Sequence, residues 1–226
     1  MTAALSIIIP MLDEAAVIAA QLAALAPLRA RGAEIIVVDG GSRDGSAELA
    51  AKAGADRVLR ARRGRARQMN AGAAEASGRL LLFLHADTTL PDNADAPLAE
   101  AFAAGALWGR FDIHIEGRSP LLAIVAACMN LRSRLSGIAT GDQAMFVVRE
   151  VFESVGGYPD QPLMEDIELS RRLRRQARPA CLRERVRTSG RRWEARGVWP
   201  TIFLMWRLRW RYWRGEPAEA LARAYR

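Results

Sequence analysis

The stretch RLLLFLHADTT, residues 79–89, indicates how the rest of the chain folds. Its apolar run, residues 80–84, does not alternate with polar residues, which predicts a strand that is covered on both faces. The run ends at His85 and Asp87. Ligands of open α/β sheets bind in the crevice outside the carboxyl ends of the strands, so Asp87 is a candidate ligand for a divalent cation. Taken alone, the stretch is equally consistent with an Asp that caps the following helix.

From residue 5 to residue 84, segments with a strand-like pattern alternate with segments that have a helix-like pattern. Strands that are separated by helices of this length require crossover connections, which predicts a mostly parallel sheet flanked by helices. We expect residues 1–197 to form this α/β domain. The predicted strands are residues 5–10, 34–39, 57–60 and 80–84, and the predicted helices between them are residues 15–31, 44–53 and 65–77.

Patterns in the second half of the domain are less regular. Residues 106–115 alternate partly between apolar and polar side chains, which predicts a strand at an edge of the sheet. Residues 143–148 predict another strand. The predicted helices are residues 91–105, residues 120–135 and one that begins at Glu165.

Composition and charge exclude some functional classes. The chain of 226 residues is 50% hydrophobic and 26% charged, which is typical of a globular protein. From residue 191 onward, nine Arg and three Glu give a net charge of +6, whereas residues 1–190 hold 24 basic and 22 acidic groups. This near balance leaves no evident basic sheet face, so we expect no nucleic-acid partner. We recognise neither a signal peptide nor an apolar run of the ~18 to 20 residues that a spanning helix needs, so the expected location is the cytoplasm.

Residues 198–226 form a basic and aromatic tail. A helix over residues 198–214 would place five aromatic side chains on one face, because they are three or four residues apart. We expect this face to pack on the α/β domain. The alternative is a helix that lies in the interface of a membrane, as a peripheral contact at its inner face. The five residues are Trp199, Phe203, Trp206, Trp210 and Trp213.

Acidic residues follow several predicted strands and begin one helix. Their order and local settings resemble the family 2 glycosyltransferases of the GT-A fold, and TSGRRW, residues 188–193, resembles a bacterial subgroup of that family. The resemblance covers nearly the whole chain. Its acidic positions are Asp13 and Glu14, Asp39, Asp87, and Glu165 with Asp166.

The resemblance implies a nucleotide site at the first two strands. SIIIPMLDE matches the family's opening strand, VVDGGSRDGS matches its second strand and loop, and GRARQMNAG matches its basic segment. Gly40 stands where a second Asp is usual, and Arg63 and Arg65 are equally consistent with a solvated charge run. The implied contacts are Pro10, Leu12 and Glu14 for uracil and ribose, Asp39 for the base edge, and Arg67 and Asn70 for the nucleotide or its phosphates.

Metal and base positions also follow from the resemblance. The triplet HAD stands where the family has Asp-x-Asp, so Asp87 would bind Mn²⁺ or Mg²⁺ and His85 replaces the first Asp. A structural role for His85 is equally consistent with the sequence. MEDIEL matches the family's Glu-Asp signature, which implies Asp166 as the general base and Glu165 as its neighbour. GDQ places Asp142 and Gln143 on the acceptor side of the pocket, although a turn Asp is nearly as good an interpretation.

The implied function is inverting transfer of a sugar from a nucleotide-diphosphate donor to an acceptor hydroxyl. The expected donor is a UDP-linked sugar. The sequence does not identify the acceptor, for which a lipid-linked molecule is one alternative. Ser189 replaces the Gln of the Gln-x-x-Arg-Trp motif found in processive members, which argues against polymer synthesis. The rival interpretations are a sugar-nucleotide nucleotidyltransferase and a non-catalytic module that binds membranes or nucleic acid. PMLDEAAV, residues 10–17, is no Gly-rich loop with Arg and Lys, which argues against the nucleotidyltransferase.

Overall fold

The computed structural model describes residues 5–225, and its strands form one eight-stranded sheet. Helices flank the sheet, and its strand order is β3-β2-β1-β4-β7-β6-β8-β5. The strands are β1 (Leu5–Met11), β2 (Glu34–Asp39), β3 (Arg57–Arg60), β4 (Leu80–Phe83), β5 (Thr88–Thr89), β6 (Trp108–Glu116), β7 (Phe146–Val148) and β8 (Ala180–Ser189). The helices are α1 (Ile18–Ala30), α2 (Ser46–Lys52), α3 (Arg65–Glu75), α4 (Asp95–Ala103), α5 (Leu121–Ser136), α6 (Arg149–Ser154), α7 (Glu165–Gln176), α8 (Arg191–Arg196), α9 (Val198–Trp213) and α10 (Ala218–Tyr225).

The first half of the chain forms the parallel part of the sheet, as predicted. Strand β1 pairs in parallel with β2 and β4, and β2 pairs in parallel with β3. Met11 pairs with Asp39, so the carboxyl ends of β1 and β2 are level. The apolar run before His85 is β4, which is buried throughout. The loops that follow these strands therefore meet at one edge of the sheet.

The second half of the chain departs from prediction at the sheet edge. Strand β6 lies inside the sheet, between β7 and β8, so the prediction of an edge strand was wrong. The cause is β8, which pairs in parallel with β6 and which the sequence analysis did not identify. Its exposed Arg and Glu residues obscure the apolar pattern. Strand β7 is shorter than predicted, because residues 141–143 form a 3₁₀ turn.

Close packing of α3 on the sheet determines where its polar residues lie. A Cβ atom at Gly72 would lie 2.5 Å from Cγ2 of Ile8 and 3.0 Å from Cγ2 of Val38, so only glycine allows this approach. Real Cβ atoms do not approach other carbon atoms so closely, because interiors are already close-packed. The N-terminal half of α3 is thereby held beside the carboxyl ends of β1 and β2.

Helix α9 packs in the opposite orientation from the one predicted. Leu208 is completely buried and contacts Met164, in front of α7, and Leu221 of α10. The five aromatic side chains that share one face of α9 are 57% to 78% exposed, so the prediction that this face packs on the domain was wrong. Leucine and methionine side chains of α9 supply the packing instead. Within residues 5–225, none of the helices is long and apolar enough to span a bilayer.

Candidate functional site

The loops after β1 and β2 are joined by hydrogen bonds at the ends of these strands. Asp13 adopts a left-handed conformation with φ of 53°, which Asp tolerates better than most residues. Its N–H donates to Ser42 Oγ at 2.9 Å, and its Oδ1 accepts the N–H of Arg43 at 2.8 Å. The N–H of Glu14 donates to Ser46 Oγ at 2.8 Å. These bonds hold Glu14 at the edge of the sheet.

Asp39 is buried at the end of β2, where it organises its own turn. Its carboxylate accepts the N–H of Gly41 at 3.2 Å and the N–H of Ser42 at 3.0 Å. The Ser42 hydroxyl donates a further bond at 2.5 Å. Asp residues commonly stabilise a turn in this way. A contact between Asp39 and a nucleotide base therefore stays a prediction.

Gln68 of α3 ties the two strand ends together. Its Nε2 donates to the carbonyl of Met11 at 2.8 Å and to that of Val38 at 2.7 Å. A Cβ atom at Gly40 would lie 3.1 Å from the Gln68 side chain. The space that a second Asp would need after Asp39 is thus occupied by Gln68, which gives a physical reason for glycine there.

The predicted nucleoside contacts lie at different depths. Pro10 is buried inside β1 and pairs with Val38 of β2, whereas Leu12 and Glu14 are half-buried in the loop that follows. The pKa of Glu14 is raised, first by burial and then by the negative charge of Asp87. Glu14 thus lies near the candidate metal ligand. Nucleoside binding by these residues stays a prediction.

Two predicted phosphate contacts on α3 already have protein partners. Arg67 Nε lies 2.7 Å from Asp160 Oδ1 in an exposed ion pair. Asn70 Nδ2 donates to the carbonyl of Tyr158 at 2.8 Å, and its Oδ1 accepts the N–H of Tyr158 at 3.0 Å. Asn70 therefore anchors the loop before α7, a role that the sequence did not indicate. Nucleotide binding by these residues stays a prediction.

Arg65 and Arg192 face the acidic side chains, although sequence analysis did not select them. The charge of Arg65 acts on Glu14, Asp142 and Glu165, which come from three separate parts of the chain. Arg192 lies within electrostatic range of Asp87 and Asp142. In an arginine-rich sequence, no local signal separates these two residues from solvated ones. The pointers were the segment GRARQMNAG, which contains Arg65, and the Arg-Trp pair at residues 192–193.

His85 is buried against the turn that carries Asp142. Its Nδ1 lies 3.1 Å from Asp142 Oδ1, and a Cβ atom at Gly141 would lie 2.6 Å from both Cε1 and Nε2 of the ring. Partial desolvation acts to raise the pKa of Asp142, whose side chain is 48% exposed, but the His85 hydrogen bond and charge, with Arg65 and Arg192, lower it to about 2. These contacts favour a role for His85 in holding Asp142. Metal binding by His85 stays a prediction.

Asp87 is half-buried just after β4 and fits a metal site that a substrate completes. Its main-chain carbonyl accepts the N–H of Ser189, at 3.2 Å, which fixes the residue beside β8. Within residues 5–225, no group donates a hydrogen bond to its carboxylate. The same residues contain no cluster of three or more His, Cys, Asp or Glu that could hold a metal ion. Mg²⁺ is commonly bound by one or two carboxylates together with substrate phosphates, so a single free carboxylate matches that arrangement.

Helix α7 begins with the two adjacent acids of the MEDIEL segment. The Asp166 carboxylate accepts the N–H of Gly141 at 2.9 Å and the N–H of Ile167 at 2.7 Å, which orients it toward the 3₁₀ turn. Glu165 is only 7% exposed. Burial, followed by the charge of Asp166, raises the pKa of Glu165 to about 7. The pair therefore combines a fixed carboxylate with a neighbour that exchanges a proton near neutral pH.

Gln143 lies in the same 3₁₀ turn as Asp142, and its place on the acceptor side of the pocket stays a prediction. Its side chain is completely buried. Its Nε2 donates to Ser133 Oγ at 3.2 Å, and its Oε1 accepts the N–H of Thr140 at 3.2 Å. Gln143 thus closes the 3₁₀ turn and ties it to α5. Asp142, whose side chain is 48% exposed, is the member of the pair that remains accessible.

Solved structures with the same fold include three proteins of low sequence identity that are bound to nucleotides or nucleotide sugars. Glucosyl-3-phosphoglycerate synthase from Mycobacterium tuberculosis, in complex with Mg²⁺ and UDP, is 22% identical with a TM-score of 0.60 over 82% of this chain and 70% of that one. The mannosyltransferase PcManGT from Pyrobaculum calidifontis, in complex with GDP-Man and Mn²⁺, is 19% identical with a TM-score of 0.62 over 83% and 57%. TarS 1-349 of S. aureus, in complex with UDP-GlcNAc, is 16% identical with a TM-score of 0.67 over 82% and 58%.

The chain is shorter than these structures and spans 57% to 70% of their lengths. No curated protein matches it. The family model for glycosyl transferase family 2 matches residues 6–123, which is more than half of the chain and includes β1, β2, β4 and Asp87. The chain therefore belongs to glycosyl transferase family 2.

Proposed function

We propose that the protein is an inverting glycosyltransferase that moves a sugar from a nucleoside diphosphate sugar to an acceptor hydroxyl. The proposed donor is a UDP-linked sugar. The observation that carries this proposal is the position of Asp166. Two main-chain N–H groups hold its carboxylate beside the 3₁₀ turn. Arg65 links this region electrostatically to Glu14 at the end of β1. Family membership supports sugar transfer over both nucleotide transfer and simple binding.

The donor would bind at the carboxyl ends of β1, β2 and β4. Asp87 would hold Mn²⁺ or Mg²⁺ together with the donor diphosphate, and the metal complexes of two structural neighbours support such a cofactor. A divalent ion in that place neutralises negative charge that develops on the leaving diphosphate. Arg65 and Arg192 face the same region, and guanidinium groups bind phosphate oxygens through paired N–H donors.

Asp166 would act as the general base. A sugar or alcohol hydroxyl is a weak nucleophile until its proton is removed as the oxygen attacks. Asp166 takes that proton while the oxygen bonds to the anomeric carbon, and the bond from this carbon to the diphosphate breaks with its electron pair. Attack from the face opposite the diphosphate inverts the anomeric configuration. Glu165, which takes up a proton near neutral pH, limits the negative charge beside the base.

A second proposal concerns the exposed face of α9. Trp199, Phe203, Trp206, Trp210 and Trp213 lie 57% to 78% exposed on one helix. Tryptophan side chains favour the interface between lipid headgroups and acyl chains, and Arg residues attract anionic lipids. Residues from 191 onward carry a net charge of +6. We propose that this face contacts the surface of an anionic bilayer, as a peripheral attachment.

Nucleotide binding tests the catalytic proposal directly. We expect titration calorimetry with UDP, GDP and CDP to detect one nucleotide that binds tightly only when Mn²⁺ is present. Asp87→Ala should reduce that affinity at least tenfold and remove its metal dependence. Asp92→Ala, which alters an exposed carboxylate between β5 and α4, is the matched control and should bind as the wild type does. Absence of binding by all three nucleotides would overturn the proposal.

A further inference from the structure

Arg132 of α5 contains buried polar atoms that the protein does not satisfy. Both Nε and Nη2 are buried and have no hydrogen-bond partner among residues 5–225. Buried N–H groups are normally bonded, and a buried charge without a partner is strongly destabilising. Burial, followed by the charge of Arg209, lowers the pKa of Arg132 to about 10. Its surroundings therefore disfavour the charge that arginine always carries.

Arg209 of α9 is a second cation in the same region. It is half-buried, and none of residues 5–225 forms a hydrogen bond or ion pair with it. Its pKa is lowered by burial, while the charges of Asp166 and Asp142 act in the opposite direction. The same two carboxylates act on Arg132. Two like charges thus lie within electrostatic range of each other and of the proposed base, although neither forms a direct bond to it.

Neighbouring arginines differ because they do have anionic partners. Arg110 is completely buried and donates to the carboxylate of Asp112 and to the carbonyl of Asn130. Arg134 Nη2 donates to Asp112 Oδ2 at 2.6 Å. Asp112 therefore pairs with both of these cations, although its single charge balances only one of them and Arg110 Nε also lacks a partner within the part of the chain that the structure describes. It leaves the charges of Arg132 and Arg209 for a group from outside the protein.

We propose that Arg132 and Arg209 bind an oxyanion, a phosphate or a carboxylate, on the acceptor, and thereby place the acceptor hydroxyl beside Asp166. The inference rests on the proposed function and specifies its acceptor class. Arginine suits this role because its rigid set of N–H donors matches both oxyanions and because its guanidinium group is weakly hydrated. Binding would supply the missing partners of Arg132 and reduce the repulsion between the two cations.

The electrostatic influences on the two arginine pairs meet at Asp142 and otherwise differ. Arg65 and Arg192 act on Glu14 and Asp87 at the ends of β1 and β4. Arg132 and Arg209 instead act on Asp166 and Asp142, without a contribution from Glu14 or Asp87 among their main influences. An anionic acceptor would therefore lie near Asp166 and Asp142, whereas the donor diphosphate would lie near Asp87.

Paired probes test the inference in the full chain. Glycerol 3-phosphate, glycerate and glycerol share hydroxyl groups but carry a phosphate, a carboxylate or no charge. Each is titrated by calorimetry into protein with Mg²⁺ and saturating nucleoside diphosphate, and again into nucleotide-free protein. We expect at least one anionic probe to bind at least tenfold more tightly than glycerol. Arg132→Met and Arg209→Met, which keep an apolar stem, should each weaken that binding at least tenfold and leave nucleotide affinity within twofold.

Arg207→Met is the matched control, because Arg207 is exposed on the same helix, and it should bind the probes as the wild type does. Equal binding of the three probes would overturn the inference, and so would probe binding that neither variant changes. In both cases the proposed function still holds if the protein binds a nucleotide. A parallel loss of nucleotide affinity would place the two arginines on the donor side and overturn the inference too. If no nucleotide binds, the proposed function fails separately, and the nucleotide-free titrations still decide whether the pair binds an oxyanion.

Discussion

At the scale of single residues, Glu165 and Asp166 are adjacent in sequence but have different surroundings. Asp166 is oriented by two N–H donors, whereas burial and the charge of Asp166 raise the pKa of Glu165 to about 7. Asp166→Asn keeps the shape and removes the proton acceptor. We expect it to bind the donor nucleotide within about threefold of the wild type and to lose roughly 10²- to 10⁴-fold in turnover, the usual contribution of a general base. Steady-state kinetics with a nucleotide calorimetry control measure both, and near-normal turnover would refute the assignment.

The raised pKa of Glu165 also predicts how stability depends on pH. The folded state retains a proton that the unfolded chain releases above its ordinary pKa of 4.5, so the free energy of unfolding falls as pH rises from about 4.5 to about 7. Glu165→Gln mimics the protonated form. We expect it to be more stable than the wild type at pH 8, by at most roughly 3 kcal/mol, and nearly equal to it at pH 4. Urea titrations at both pH values measure this, with exposed Glu153→Gln as the control; an equal effect at both pH values would contradict it.

At the scale of elements, α9 presents aromatic side chains outward and packs through leucine and methionine. Soluble proteins rarely expose large apolar patches, and those that occur commonly mark interaction surfaces. We expect the full chain to sediment with anionic liposomes, and the double variant Trp206→Gln/Trp210→Gln to lose at least tenfold in the bound fraction at equal lipid. Leu49→Gln alters an exposed apolar residue of α2 and should sediment as the wild type does. Equal sedimentation of all three proteins would contradict the proposal that this face of α9 contacts a membrane.

At the scale of the whole molecule, the tail is packed against the segment that precedes the proposed base. Leu208 is fully buried against Met164, and Arg209 follows it directly. We expect Leu208→Ala to destabilise the protein by about 2 to 5 kcal/mol, as for other buried leucines, or to release the tail first. Hydrogen exchange would then show faster exchange in both α9 and the N-terminal turn of α7. Exchange that rises in α9 alone would contradict the coupling of tail and site; Leu49→Ala is the exposed control.

The sequence by itself determined the parallel half of the sheet and the positions of its terminal acids. Uninterrupted apolar runs such as that before His85 are local signals, because a covered strand must be apolar on both faces. Asp39, Asp87 and Asp166 were found from such local positions: Asp39 ends β2, Asp87 lies in the loop after β4, and Asp166 lies in the first turn of α7. The resemblance of these motifs to family 2 glycosyltransferases depended on the same local order.

Only the tertiary structure decided which residues meet across the chain. Strand β8 places β6 inside the sheet, Tyr158 occupies both ends of the Asn70 amide, and Gln143 is enclosed by α5. Which face of α9 is buried depends on the residues that pack against it. The periodicity of the helix is equally consistent with burial of the aromatic face or of the leucine and methionine face. Arg132 and Arg209 lie 77 positions apart, so no spacing rule could bring them together. Their common surroundings arise because α5 and α9 each bring an arginine within electrostatic range of Asp166 and Asp142.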